Sequence, residues 1–232
     1  MEQIFHTKAD VEAAFRIEER EERDKRMRLI EEMGLEDGSY PTYVSGFYRD
    51  TFVTIMYDSD PYCPLGEWDQ TATAVGTWGR WKSQNFGNNH ELDGARKHAE
   101  GWRTDEMIDY MSRFVRTILK GISVTIDLQD HGYMLFYTGE EIDDWFGGDR
   151  LIAYRSILGD RSVFRSWAEG EVFGHIVTGE DFDESCWGYY GDPAYCLTEA
   201  KSDADQFSDR IDEDRREAAE NEAGEIEEGV IV

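Results

Sequence analysis

Residues 104–138, TDEMIDYMSRFVRTILKGISVTIDLQDHGYMLFYT, pass from a helical to a strand periodicity within one stretch. Apolar residues recur at the helical spacing over 104–120, which predicts a helix with one apolar face. Over 122–128 they alternate strictly with polar residues, which predicts a strand with one buried side. Residues 130–132, Asp-His-Gly, predict a turn, and 133–138 predict the returning strand. The stretch therefore predicts a helix that packs on an antiparallel hairpin.

Two further pairs of strands are predicted on either side of this stretch. Residues 42–48 and 51–57 are rich in aromatic and β-branched residues, and the Arg-Asp break between them predicts a hairpin. Residues 171–178 and 185–190 predict a second pair, joined by an acidic turn at 179–184. The expected fold is therefore α+β, with a largely antiparallel sheet packed by helices and acidic helical extensions at both ends.

The remaining segments predict helices and one long loop. Acids and glycines crowd residues 139–149, which predicts a loop, and one or two short helices follow over 150–167, interrupted near Gly159. A charged helix is predicted over 7–33, and a last helix begins at Asp192-Pro193 and becomes almost wholly charged towards its end. The predicted division is an acidic N-terminal helix (1–38), an α+β core domain (39–200) and an acidic C-terminal helix and tail (201–232).

Charge is the strongest signal in the composition. The chain has 51 acidic and 24 basic residues, a net charge of −27 at pH 7. Such a surface repels nucleic acid and anionic membranes and attracts basic proteins or cations. Two interpretations stay open. The acids either imitate the phosphates of a nucleic acid in the cleft of a DNA-binding protein, or they provide general solubility or adaptation to a high-salt cytoplasm.

Other features of the composition indicate a cytoplasmic location. The apolar runs are far shorter than the roughly 20 residues that cross a bilayer, and the N-terminus has no secretory signal pattern. The three cysteines, Cys63, Cys186 and Cys196, are an odd number without tight spacing, which predicts reduced thiols. Cys186 lies in an aromatic strand, where we expect a small buried side chain.

The motifs that usually carry chemistry are absent from the sequence. No histidine pairs with another histidine or a cysteine at zinc-site spacing, and no nucleophile elbow or phosphate-binding glycine loop occurs. Asp130-His131 is the most enzyme-like dipeptide, because the carboxylate can orient the imidazole, but a turn explains it more simply. We therefore predict no catalytic residue, no metal site and no cofactor, and a binding protein is favoured over an enzyme.

Two segments carry a family resemblance. Residues 167–174, WAEGEVFG, and 184–192, ESCWGYYGD, resemble uncharacterised proteins encoded by bacteriophages and related mobile elements. The likeness covers roughly residues 58–200, and the Trp187 segment is its specific part. It implies a viral origin without an activity to carry over. Its motif positions, structural or functional, are Asp130, His131, Trp167, Gly170, Gly174, Cys186, Trp187, Gly188, Gly191 and Asp192.

Acidity and resemblance together suggest a function. The leading hypothesis is a viral accessory protein that binds a host protein, as a nucleic-acid mimic that inhibits a defence or DNA-processing complex with a basic cleft. Direct binding to nucleic acid or to a membrane is not expected, and homo-oligomerisation stays open. The terminal helices are alternative contact surfaces. The favoured acids lie in two predicted loops: Glu140, Glu141, Asp143, Asp144, Asp181, Asp183 and Glu184.

Two other functions remain as alternatives. One is a metal-assisted hydrolase that uses clustered carboxylates, with His131 as a further candidate. The other is a viral structural or assembly protein whose acidic surface is adapted to salt.

Overall fold

A computed structural model describes residues 5–64, 72–76, 94–95, 97–99, 101–128, 131–180 and 182–229. Every strand pairing among these residues is antiparallel, which confirms the predicted α+β class. The described helices are α1 (Lys8–Met33), α2 (Thr104–Thr117), α3 (Gly139–Phe146), α4 (Arg150–Glu169) and α5 (Ala194–Gly229). The described strands are β1 (Glu36–Asp37), β2 (Thr42–Tyr48), β3 (Thr51–Tyr57), β4 (Thr73–Gly76), β5 (Ile122–Leu128), β6 (His131–Tyr137), β7 (Val172–Gly179) and β8 (Phe182–Tyr190).

The chain forms two compact units, each built from two separate segments. The first unit comprises Met1–Glu21 and Pro61–Glu171, and the second comprises Glu22–Asp60 and Val172–Val232. These limits differ from those of the predicted segments, since 1–38 and 39–200 each contribute to both units.

The first unit is built around the central strand β6. Its sheet has the order β4-β6-β5, and β6 is apolar along almost its whole length. Met134 and Phe136 point to one side of the sheet and pack with the apolar stripe of α2, while Leu135 and Tyr137 point to the other side and pack with Ile157 of α4. A central strand covered on both faces needs this continuous apolar sequence.

Three local predictions for the first unit are wrong. His131 and Gly132 belong to β6, because Leu128 pairs directly with His131, so they are not part of the turn. Residues 139–146 form helix α3 instead of a loop, started by a capping box between Thr138 and Glu141. Helix α4 runs unbroken through Gly159, because the apolar face on both sides of that glycine is buried in the core.

The second unit is a five-stranded sheet, of order β1-β2-β3-β7-β8, covered on one face by α5. The β2–β3 hairpin has the predicted limits. Val53 and Val177 pack against small residues of α5, among them Ala200, which stand three or four positions apart on one face of that helix. The β7–β8 connection is shorter than predicted, because β8 begins at Phe182, directly paired with Gly179. Asp181 lies outside the described residues.

Candidate functional site

The predicted acids of the first unit lie on helix α3. Glu140, Asp143 and Asp144 are exposed. Glu141 has a structural role, because its carboxylate accepts a hydrogen bond of 2.6 Å from the backbone N–H of Thr138. Three free carboxylates on a two-turn helix therefore remain from the predicted acidic loop. Asp130 lies outside the described residues.

The predicted acids of the second unit lie on the edge strand β8. Asp183 and Glu184 are exposed and, as consecutive strand residues, point to opposite faces of the sheet. The acids selected from the sequence are thus divided between the two units.

Several positions of the proposed family motif have a visible structural role. Trp167 donates a hydrogen bond from Nε1 to the carbonyl of Pro61 (3.1 Å). Gly170 ends α4 with a φ of 77°. Asp192 accepts a hydrogen bond from the N–H of Ala194 at the start of α5 and also pairs with Arg26 at 2.7 Å.

The Trp187 segment is shaped by three glycines. Gly174 lies opposite Trp187 on β7, and a Cβ atom at position 174 would overlap the indole ring. Gly188 and Gly191 have φ values of 87° and 88°, a region that favours glycine. A register shift in the β7–β8 ladder also falls at Gly188. The side chain of Trp187 is therefore held flat on the sheet while 44% of its surface stays exposed.

Cys186 is exposed, which corrects the expectation that it is buried. The reason is that β8 lies at the edge of the sheet. Among the described strands, only β7 is its neighbour, so its side chains are covered from one side. Cys196 of α5 is the buried cysteine, and Cys63 is half-buried.

A buried polar cluster around His175 was missed in the sequence. His175 is 1% exposed on β7, its Nε2 lies 2.8 Å from a carboxylate oxygen of Asp203, and its Nδ1 lies 3.9 Å from Sγ of Cys196. The ring also lies against Tyr189, with ring centroids 5.7 Å apart. The sequence contains one signal for it: a histidine between Phe173 and Val177 on the buried face of a strand needs a polar partner.

The order Cys196–His175–Asp203 resembles a nucleophile, a base and an orienting carboxylate. The thiol, however, has no exposed surface, and burial raises the pKa of the Cys196 thiol above its ordinary value. A catalytic cysteine needs access to the substrate and a stabilised thiolate, and Cys196 has neither. The cluster is therefore a packing feature that connects α5 to β7.

Most of the net charge lies in the second unit. It holds 27 acidic and nine basic residues, a net charge of −18, whereas the larger first unit holds 24 acidic and 15 basic residues, a net charge of −9. Helix α1 contributes little to the excess, because residues 18–28 contain five acidic and five basic residues. The excess is concentrated on α5.

Three acids between positions 205 and 212 of α5 have cationic partners. Arg49 contacts carboxylates of Asp205, Asp209 and Asp212 at 3.2, 2.8 and 3.4 Å, and Arg215 reaches Asp50 at 3.2 Å. These pairs fasten the β2–β3 turn to the helix. Their carboxylates are thereby partly neutralised and are poor candidates for binding another molecule.

The last third of α5 contains no basic residue. From residue 217 to the C-terminus the chain has six acidic residues and no basic one. We call residues 217–229, the helical part of this stretch, the acidic segment. Its carboxylates belong to Glu217, Glu220, Glu222, Glu225, Glu227 and Glu228.

The spacing of these charges can be compared with that of a nucleic acid. Eleven residue steps separate Glu217 from Glu228, which is about 16.5 Å of helix axis at 1.5 Å per residue. Six charges over this length give one per about 3.3 Å, close to the phosphate spacing of about 3.4 Å along one DNA strand. The acidic segment therefore has the linear charge density of a single nucleic-acid strand.

Comparisons with protein-family models, curated proteins and solved structures found no match to this chain. The resemblance to phage-encoded proteins accordingly stays a prediction. Within the part of the chain that the structure describes, no helix is long and apolar enough to cross a membrane. The same described residues contain no group of three or more histidine, cysteine, aspartate or glutamate side chains placed to hold a metal ion.

Proposed function

We propose that this protein binds a basic partner protein through the acidic segment of α5, whose carboxylates take the positions of nucleic-acid phosphates. The observation that carries the proposal is the spacing of one glutamate per about 3.3 Å of helix axis, in a stretch of sequence without lysine or arginine. Clefts that bind nucleic acid present lysine and arginine side chains along a line of phosphates. A helix that carries one glutamate per about 3.3 Å of its axis matches the charge density of such a line of phosphates.

The partner that fits is a nucleic-acid-binding protein, and the mode of action is competition for its cleft. With the phage resemblance of the Trp187 segment, the proposal extends to a host defence or DNA-processing complex as the target. Binding of this kind depends on salt, because exposed charges are screened over about 8 Å at physiological ionic strength. The net charge of −18 on the second unit also speeds the encounter with a basic surface.

The test compares two variants that lose the same number of charges. In the first, all six glutamates of the acidic segment become glutamine, a residue of similar helix propensity. In the matched control, six exposed acids of the first unit become the corresponding amides: Asp105, Glu106, Glu140, Asp143, Asp144 and Glu171. The control also tests three of the acids favoured from the sequence.

The assay first captures a binding protein from host lysate on the wild-type chain and identifies it. Fluorescence anisotropy then measures how well each variant displaces a labelled single-stranded oligonucleotide from that purified protein. We expect the wild type and the control to displace the oligonucleotide similarly, and the acidic-segment variant to be weaker by at least about tenfold. Equal losses in both variants would show that only total charge matters and would contradict the proposal.

Neither alternative function has a structural observation in its favour. The metal-assisted hydrolase lacks a ligand cluster among the described residues, and His131 lies in a strand. For a salt-adapted structural protein we expect an evenly distributed net charge, whereas two thirds of the net charge falls on the smaller second unit.

A further inference from the structure

The open edge of the five-stranded sheet is a second surface of the second unit. Among the described strands, β8 pairs with β7 alone, and its residues from Asp183 to Gly188 are all exposed. In an antiparallel edge strand, every second residue directs its backbone N–H and C=O away from the sheet. The edge therefore presents a row of donors and acceptors to which another extended chain can pair.

Proteins usually protect such an edge with proline, charged side chains or bulges; β8 has two acidic residues, Asp183 and Glu184, and one bulge at its C-terminal end. Its nine residues include no lysine, arginine or proline. The register shift at Gly188 distorts only the C-terminal end, which leaves Phe182–Trp187 as a regular six-residue template. On α5, Arg210 lies over the ring of Phe182, 5.9 Å from its centroid, at the other end of this template.

The side chains along the edge select the chemistry of the incoming strand. Asp183, Ser185 and Trp187 are every second residue of β8, and their side chains lie on the face of the sheet away from α5. The strands β2, β3, β7 and β8 contain no lysine or arginine. A strand laid beside β8 places alternate side chains next to Asp183 and Trp187. A lysine or arginine is favoured at both positions, by ion pairing with the carboxylate and by contact with the exposed indole face.

We propose that the β8 edge accepts an extended, lysine- or arginine-rich segment of the partner as a sixth strand of the sheet. The inference rests on the proposed function, which requires a basic partner, and adds a second mode of contact to it. Backbone hydrogen bonds supply affinity in such strand addition, and alternate side chains supply selectivity. A second copy of this chain is disfavoured as the occupant, because each second unit carries a charge of −18.

The decisive experiment compares two peptides of the same charge with the full-length protein. The first is an acetylated and amidated octapeptide of alternating lysine and valine. The second has the same sequence with its valine amides methylated, which removes backbone donors and leaves every charge in place. Affinity is measured by isothermal titration calorimetry, and amide hydrogen exchange of β8 is followed by NMR.

We expect the unmethylated peptide to bind at least about tenfold more tightly and to slow exchange of alternate amides between Asp183 and Trp187. Replacement of Asp183 and Glu184 by lysine should weaken this peptide by a similar factor. The matched control, in which Glu213 and Asp214 of α5 become lysine, should change its affinity less than about threefold.

Equal affinities of the two peptides, without protection of β8, would overturn the strand-addition proposal. That outcome leaves the proposed function standing if the glutamine variant of the acidic segment still loses displacement of the oligonucleotide. Strand addition with no effect of the acidic segment on displacement would instead retain the β8 edge and reject the acidic segment as the mimic.

Discussion

Replacement of Asp160 by alanine is expected to destabilise the first unit strongly. The side chain of Asp160 lies on α4, and one carboxylate oxygen accepts two hydrogen bonds: from the backbone N–H of Ala72 at 2.7 Å and from the hydroxyl of Tyr137 at 2.5 Å. Both donors belong to residues with almost no exposed surface. Asp160 therefore connects the segment before β4, the central strand β6 and helix α4.

The size of the effect follows from these contacts. A buried donor that loses its acceptor costs about 1–3 kcal/mol, so two donors cost about 2–6 kcal/mol. Two terms reduce this loss: Ser156 Oγ lies 3.2 Å from the Tyr137 hydroxyl and offers another acceptor, and alanine removes the cost of burying a carboxylate. We therefore expect Asp160→Ala to lower the free energy of unfolding by about 3 kcal/mol.

Asp160→Asn is the matched control, because its carbonyl oxygen can accept from both donors without a charge. We expect it to stay within about 1 kcal/mol of the wild type at pH 7. The assay is urea unfolding of the full chain, followed by tryptophan fluorescence and circular dichroism. The role given to Asp160 would be refuted if the unfolding free energy of the alanine variant lay within about 1 kcal/mol of the wild-type value and its dependence on urea concentration were unchanged.

The pH dependence of stability, compared between the wild type and Asp160→Asn, provides an independent check. Burial raises the pKa of the Asp160 carboxyl above its ordinary value, so the folded chain holds this proton to higher pH than the unfolded chain. The resulting stabilisation is complete below the unfolded pKa of about 3.9 and is lost as the pH rises through the folded pKa. The stability of Asp160→Asn relative to the wild type should therefore increase across that interval.

Three further changes have defined expected outcomes. Gly174→Ala should cost about 1–3 kcal/mol in urea unfolding, because its Cβ overlaps Trp187; a cost unchanged in a Trp187→Ala background would contradict this. Gly159→Ala should stabilise by about 0.5–1 kcal/mol, since a Cβ there meets no atom within 4 Å; a loss would contradict the open space. Burial, then the hydrogen bond to Glu12, raises the pKa of Tyr154 to about 12, so its stabilisation is lost between about pH 10 and 12. The absorbance titration of the wild type minus that of Tyr154→Phe should show one phenol that ionises near pH 12.

The sequence by itself determined those elements whose signal is local. The hairpin over 42–57 and the succession of α2, β5 and β6 were predicted from periodicity and turn residues, because side chains alternate with period 2 in strands and 3.6 in helices. One local signal was misinterpreted. The Thr138–Glu141 capping box starts α3, but the surrounding acids and glycines suggested a loop.

Gly159 shows how tertiary structure overrides a local preference. A glycine inside a helix costs about 1 kcal/mol relative to alanine, which favours a break there. Helix α4 nevertheless continues, because Ile157 and Phe164 on either side are buried in the core of the first unit, and their burial outweighs that cost.

Only the tertiary structure decided which residues are accessible and which meet. Strand β7 pairs with β3, more than 110 positions earlier in the chain, and this distant pairing leaves β8 at the edge, with Cys186 and Trp187 exposed. The contact of His175 with Asp203 likewise joins a strand to a helix 28 residues later. The amount of acid was evident from the sequence, but whether a carboxylate is neutralised depends on partners such as Arg49, and a linear pattern does not contain those distances.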